Sequence, residues 1–117
     1  MIWFKETGSK YRNARQTYND YSYMSRKEAQ YAYELDLRLK AKDIKSWRRQ
    51  QKIDLTFNGF YICNYFIDFV IIHNDGTEEY VEVKGMETPE WKLKWKMTEA
   101  MLYKKIAKGK IKLTLVK

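Results

Sequence analysis

Two carboxylates and one ammonium group set the chemistry to be explained. Asp68 interrupts the apolar run YFIDFVII, and 14 residues later the segment EEYVEVKG carries Glu82 and Lys84. Alternation in that segment predicts a strand with Val81 and Val83 toward the core and Glu82 and Lys84 on its wet face. Between the two segments, Asn74-Asp75-Gly76 predicts a three-residue hairpin loop with Gly76 in the left-handed position. His73 then faces Thr77, and cross-strand partners sum to 150. This register sets Asp68 opposite Glu82, Val70 opposite Tyr80 and Phe66 opposite Lys84. A two-residue loop would divide the two acids between opposite faces.

Opposed carboxylates repel one another across a sheet. A divalent cation removes that penalty. Mg²⁺, for which Mn²⁺ can substitute, takes oxygen ligands, usually one or two carboxylates completed by water and phosphate. Asp68 and Glu82 offer the carboxylates, and the Val83 carbonyl offers a further ligand. Lys84 is placed to orient or help deprotonate an attacking water, or to stabilise charge in the transition state. The chemistry so described is metal-dependent hydrolysis of a phosphodiester.

The elements that must hold these residues are legible in outline. Residues 1–20 are polar and basic with scattered aromatics and read as an arm with a short strand near its start. Ser25 opens a helix to about Lys42 through the capping box SRKE. Glu28 leads its apolar stripe of Ala32, Leu35 and Leu39, so it serves either as a cap or as a site residue. Short strands follow around IKSW and KIDLTF, then an Asn58-Gly59 turn and a long strand over 60–72. Thr88-Pro89 starts a second helix that runs to about Ala107, and Gly109 stops it. The last strand is KIKLTLV, and a strand, helix and strand in that order predict a parallel pair.

The chain of 117 residues suits a single domain, and its net charge of +8 favours a polyanionic partner such as nucleic acid. The charge is segregated. Residues 53–83 hold six acids and no base, whereas residues 84–117 hold ten lysines and three acids. This is the pattern of a carboxylate pocket for a cation set within a basic surface for phosphates. The single cysteine, Cys63, excludes an intrachain disulfide and a multi-cysteine zinc site. No signal peptide or membrane span is legible, so a cytoplasmic protein is expected.

Asp68 with Glu82-Val83-Lys84 resembles the D…ExK pattern of the PD-(D/E)XK nuclease superfamily. Further stretches sharpen the likeness to its small phage and prophage endonucleases, which resemble Holliday junction resolvases. SRKEAQYAYEL resembles the helix before the core sheet, where a glutamate stands at the position of Glu28. QQKIDL is similar to the segment QPKFEL, with Gln50 at the glutamine and Gln51 in place of proline. VKGMETPEWKLKWK resembles the stretch after the lysine. Ile67 stands where the superfamily's name has proline. The likeness covers roughly residues 10–117.

The resemblance implies an αβββαβ core, an α/β mixed sheet flanked by helices. It implies a Mg²⁺-dependent endonuclease acting on DNA, plausibly branched, in the host cytoplasm if phage-encoded. Glu28 would join Asp68, Glu82, Val83 and Lys84 at the metal site. Gln50 would position substrate, and Lys94 and Lys96 would contact phosphate, with Lys92, Arg48 and Arg49 counted beside them. Coordinated cutting of a junction would call for a homodimer. The alternative is a non-catalytic DNA-binding module of the same fold. Trp91 and Trp95 read first as core and second as base-stacking residues. His73 reads as a surface turn residue, Cys63 as core, and Asp75, Glu78 and Glu79 as solvating charges at a hairpin tip.

Overall fold

Asn58 and Gly59 both take positive φ, 51° and 81°, in the computed structural model, as a tight two-residue hairpin turn requires. The turn joins β4 (Ser46–Phe57) to β5 (Phe60–Ile72), which pair antiparallel from Phe57↔Phe60 to Ser46↔Ile72. The two pieces expected around IKSW and KIDLTF are one strand. A trace of the expected break remains at Gln50, which has φ 53°. The ladder passes from Arg49↔Phe69 to Gln51↔Ile67 and steps over the position of Gln50 and Asp68.

The structure describes residues 5–7, 15–19 and 21–117, and the chain divides into two compact units after Asp43. The second unit, Ile44–Lys117, holds a four-stranded mixed sheet in the order β4-β5-β6-β7, with β6 at Glu78–Val83 and β7 at Ile111–Val116. The β6–β7 pair is parallel, as a strand–helix–strand connection predicts. With the helix before β4, the element order is the expected α+β sequence of helix, three strands, helix and strand.

Gly76 sets the β5–β6 register. It has φ 90°, its N–H donates to the His73 carbonyl, and the His73 N–H donates to the Thr77 carbonyl, each at 2.9 Å. The pairs Phe69↔Val81, Val70↔Tyr80, Ile71↔Glu79 and Ile72↔Glu78 follow, all in the predicted register. The ladder then stops, so Phe66 and Lys84 do not pair. The strands part at Asp68 and Glu82.

Helix α2 (Pro89–Met101) opens on Thr88, whose Oγ1 accepts from the Trp91 N–H at 3.1 Å. The single helix expected to Ala107 is broken at Leu102 (φ −95°, ψ 9°) and resumes as α3 (Tyr103–Ala107). Trp91 packs in a buried cluster with Ile53, Leu55, Tyr65 and Ile67, and Tyr80, Trp95 and Leu115 close around it. Fully buried side chains such as Leu55 and Ile67 contribute about 1.5–3 kcal/mol each. Trp91 is therefore core, as expected first, and stacks on Trp95 with ring centroids 5.6 Å apart.

Tyr80 shares a face with its partner Val70, yet it packs against the cluster that includes Ile67, three residues from Val70. Residues three apart in a regular strand face opposite ways. The alternation of β5 therefore slips by one residue between them, at Asp68 and beside left-handed Gln50. Glu82, two residues beyond Tyr80, consequently faces α2.

The first unit holds a three-stranded antiparallel sheet of β1 (Lys5–Thr7), β2 (Arg15–Tyr18) and β3 (Tyr21–Tyr23), followed by α1 (Arg26–Lys40). Part of the expected arm is thus sheet; residues 1–4, 8–14 and 20 lie outside the described residues. Ser25 caps α1, its Oγ accepting from the Glu28 N–H at 3.2 Å. Glu28, Ala29, Ala32 and Leu35 are buried, but Leu39, expected in the same stripe, is exposed. The Tyr18 hydroxyl donates to Asp36 and ties β2 to the helix. Burial, the bond to Asp36 and its charge hold the Tyr18 phenol well above its usual range. No helix among the described residues is long and apolar enough to cross a membrane.

Candidate active site

A continued ladder would send the Val83 N–H to the Ile67 carbonyl, because odd-numbered pairs exchange the bonds in this register. Instead the Val83 N–H donates to Asp68 Oδ2 at 2.9 Å. The Asp68 N–H in turn donates to Glu82 Oε1 at 3.2 Å. Side-chain carboxylates thus take over where the backbone ladder ends. The two acids are linked through the Asp68 N–H one step beyond the last pair of the predicted register.

Glu82 departs from its expected surroundings. Alternation places it on a wet face, but it is only 2% exposed. Its Oε2 accepts from the Trp91 indole N–H at 2.8 Å and from the Tyr65 hydroxyl. A buried carboxylate needs such donors, since desolvation without them is costly. Burial, followed by the charge of Glu82 and the bond to it, holds the Tyr65 phenol far above its usual range. Tyr65 therefore keeps its proton and stays a donor. The wet-face reading fails because α2 covers this face through Trp91.

Lys84 follows the last residue of β6 and is half-buried, with Nζ 5.4 Å from the Trp91 ring centre. The indole thus touches the acid through its N–H and the ammonium through its π face. One tryptophan brings Glu82 and Lys84 together. Trp91 and Tyr65 are the participants that the sequence pattern does not single out. The available signal was an acid in an apolar setting, which calls for aromatic side chains that carry a donor.

The other predicted residues are distributed as follows. Gln50 is exposed and lies in register opposite Asp68. Arg48 Nε donates to Gln51 Oε1 at 2.6 Å, and its guanidinium lies 3.4 Å from Glu78. Arg49 stands over the Trp47 ring at 5.9 Å. On α2, Lys92 and Lys96 are exposed, and Lys94 is 3.3 Å from Glu90. Glu28 lies in the first unit, so its place relative to Asp68 and Glu82 stays an expectation. Among the described residues, no three His, Cys, Asp or Glu side chains form a group that could hold a metal ion.

Away from this site, two readings need correction. Glu79 is no solvating tip charge: it is largely buried, with Oε1 2.9 Å from His73 Nε2 and Oε2 accepting from Thr114 Oγ1 at 2.5 Å. His73 is correspondingly half-buried and paired rather than a plain surface residue. Asp75 fits its turn, accepting from the Thr77 N–H at 2.9 Å and from its hydroxyl at 2.7 Å. Those bonds hold the Asp75 carboxyl below its usual range.

A family model matches residues 8–115, nearly the whole chain. The chain belongs to that family, described as "Protein of unknown function (DUF1064)". The matched span takes in Glu28, Gln50, Asp68, Glu82, Lys84 and the α2 lysines. Neither the comparison with curated proteins nor that with solved structures gives a match.

Proposed function

We propose that the chain is a Mg²⁺-dependent DNA endonuclease of the PD-(D/E)XK type, acting on branched DNA. The observation that carries this reading is the junction of Asp68, Glu82 and Lys84 where β5 and β6 part. Packing alone does not account for two acids exchanging backbone amides beside a buried core. The donor set fits a hard cation: Asp68, Glu82 and the Val83 carbonyl would hold it, within the one or two carboxylates that Mg²⁺ usually takes. Glu28 would complete the set if the first unit brings it there. Mg²⁺, or Mn²⁺ in its place, supplies Lewis-acid charge at the scissile phosphate.

The chain's own residues do the remaining work. Tyr65 and Trp91 fix the Glu82 carboxylate, and the Val83 amide fixes that of Asp68. Lys84, with its ammonium held against Trp91, orients the water that attacks in line and stabilises the charge that develops. Gln50 positions the strand to be cut. Lys92, Lys94, Lys96, Arg48 and Arg49 neutralise phosphates. A homodimer, acting in the cytoplasm of a host cell, would place two such sites on one junction.

A second reading, a non-catalytic DNA-binding module, is favoured by one observation. Glu82 already accepts three hydrogen bonds and is nearly inaccessible. The deciding experiment incubates the chain with a synthetic four-way junction, a flap and a duplex, with Mg²⁺ or Mn²⁺. Cleavage that EDTA abolishes is the expected result. Salt-dependent binding with no cleavage under either metal, and no metal uptake by calorimetry, would establish the binding module instead.

A further inference from the structure

The β4–β5 hairpin outruns the rest of its sheet. β6 pairs with β5 only over Phe69–Ile72, so the hairpin continues well past the last β6 partner. Its tip carries Phe60, Tyr61 and Ile62 at 72%, 59% and 53% exposure. The ladder steps from Leu55↔Cys63 to Thr56↔Tyr61 and leaves Ile62 without a partner position between them. Hairpin tips ordinarily carry small or polar residues, and these three side chains contribute little to the core.

The rim of the tip is cationic. A groove beside the turn is formed by Phe57 and Asn58 on the hairpin and by Tyr103, Lys104 and Lys105 on α3. Tyr103 is itself 68% exposed. The nearest acid on the hairpin, Asp54, lies 3.8 Å from Lys52, which offsets its charge. Exposed rings bordered by ammonium groups match unpaired bases and their phosphates: rings stack on bases of any sequence, and the cations follow the backbone.

We infer that the tip at Phe60-Tyr61-Ile62 is a wedge that stacks on unpaired bases at a DNA branch point, with Lys104 and Lys105 on the flanking phosphates. The choice of DNA rests on the nuclease reading, but the wedge does not require cleavage. The probe is a four-way junction with 2-aminopurine at the crossover, bound by the full chain in EDTA. Wild type is expected to change the fluorescence at the crossover and not that of the same base placed inside a duplex arm. Phe60→Ala with Tyr61→Ala should abolish that change and weaken junction binding about tenfold or more, while duplex binding and circular dichroism stay as in wild type. Phe60→Trp with Tyr61→Trp should retain both signals. Phe60→Leu with Tyr61→Leu should lose the fluorescence change, whereas a merely apolar contact would survive it.

The wedge is overturned if the double alanine variant binds and reports as wild type does. It is also overturned if neither protein changes the fluorescence and only the alanine variant sediments as a monomer; the tip is then a contact between copies. Cleavage with Mg²⁺ is scored separately. A chain that shows the crossover signal but cuts nothing keeps the wedge and loses the nuclease reading. A chain that cuts, with the alanine variant equal in rate and binding, keeps the nuclease reading and loses the wedge.

Discussion

Asp68 and Glu82 each hold the other's strand through a backbone amide: Asp68 Oδ2 accepts from the Val83 N–H, and Glu82 Oε1 accepts from the Asp68 N–H. The exchange replaces the next rung of the β5–β6 ladder. It gives each of two like charges a backbone hydrogen-bond donor. It also fixes the direction of both carboxylates before any ligand arrives, which is the condition for a preorganised site.

Asp68→Ala and Lys84→Ala are expected to lower junction cleavage by about 10²–10³-fold or more, with binding in EDTA close to wild type. Single-turnover rates with Mg²⁺ and gel-shift affinities without it separate the two effects. Equal losses in both measurements would show that these residues hold DNA rather than cut it.

Tyr65→Phe removes one donor from a carboxylate that is 2% exposed. The variant is expected to be less stable by about 1–3 kcal/mol in urea unfolding. Paired with Glu82→Gln in a double-mutant cycle, the two changes should be strongly non-additive, because they share one bond. Additive costs would mean that the Tyr65 hydroxyl acts through the bond it accepts from the Trp91 indole N–H instead.

The register of the site was legible because glycine supplies a left-handed residue where few others do: Gly76 at φ 90° fixes the loop, and the loop fixes the pairs from Phe69↔Val81 to Ile72↔Glu78. The capping signals at Ser25 and Thr88 were legible for the same reason, as short-range bonds between near neighbours. What alternation could not show was the slip at Asp68, which depends on the β4 residue opposite. Nor could it show the burial of Glu82, which depends on α2 arriving from later in the chain. The break at Leu102 has no proline or glycine to announce it.

Glu79 links stability to pH. Burial alone would raise its carboxyl, but the bonds from Thr114 and His73 and the charge of Lys112 outweigh it and hold the group below the ordinary value of 4.5. A depressed carboxyl contributes stability that is present above its unfolded value and lost as pH falls through its folded value. Glu79→Gln should therefore be less stable than wild type at pH 7, and the gap should close as pH drops below about 4.5. Urea midpoints measured from pH 7 to pH 3 report this. A gap that stays constant across the range would rule out the linkage.

Gln50 separates strain from function. Its φ of 53° lies in the left-handed region, inside a strand and opposite Asp68. A side chain there costs about 1–2 kcal/mol, whereas glycine loses about 0.5–1 kcal/mol more entropy on folding. Gln50→Gly should thus cost no stability and gain up to about 1.5 kcal/mol. Gln50→Ala keeps the strain and gains nothing. If the carboxamide positions the strand to be cut, both variants should cleave a junction about tenfold more slowly despite their different stabilities. Urea unfolding and single-turnover cleavage on the pair make the comparison. A glycine variant that is more stable and cleaves at the wild-type rate would show that the backbone conformation, and not the side chain, is what the site requires.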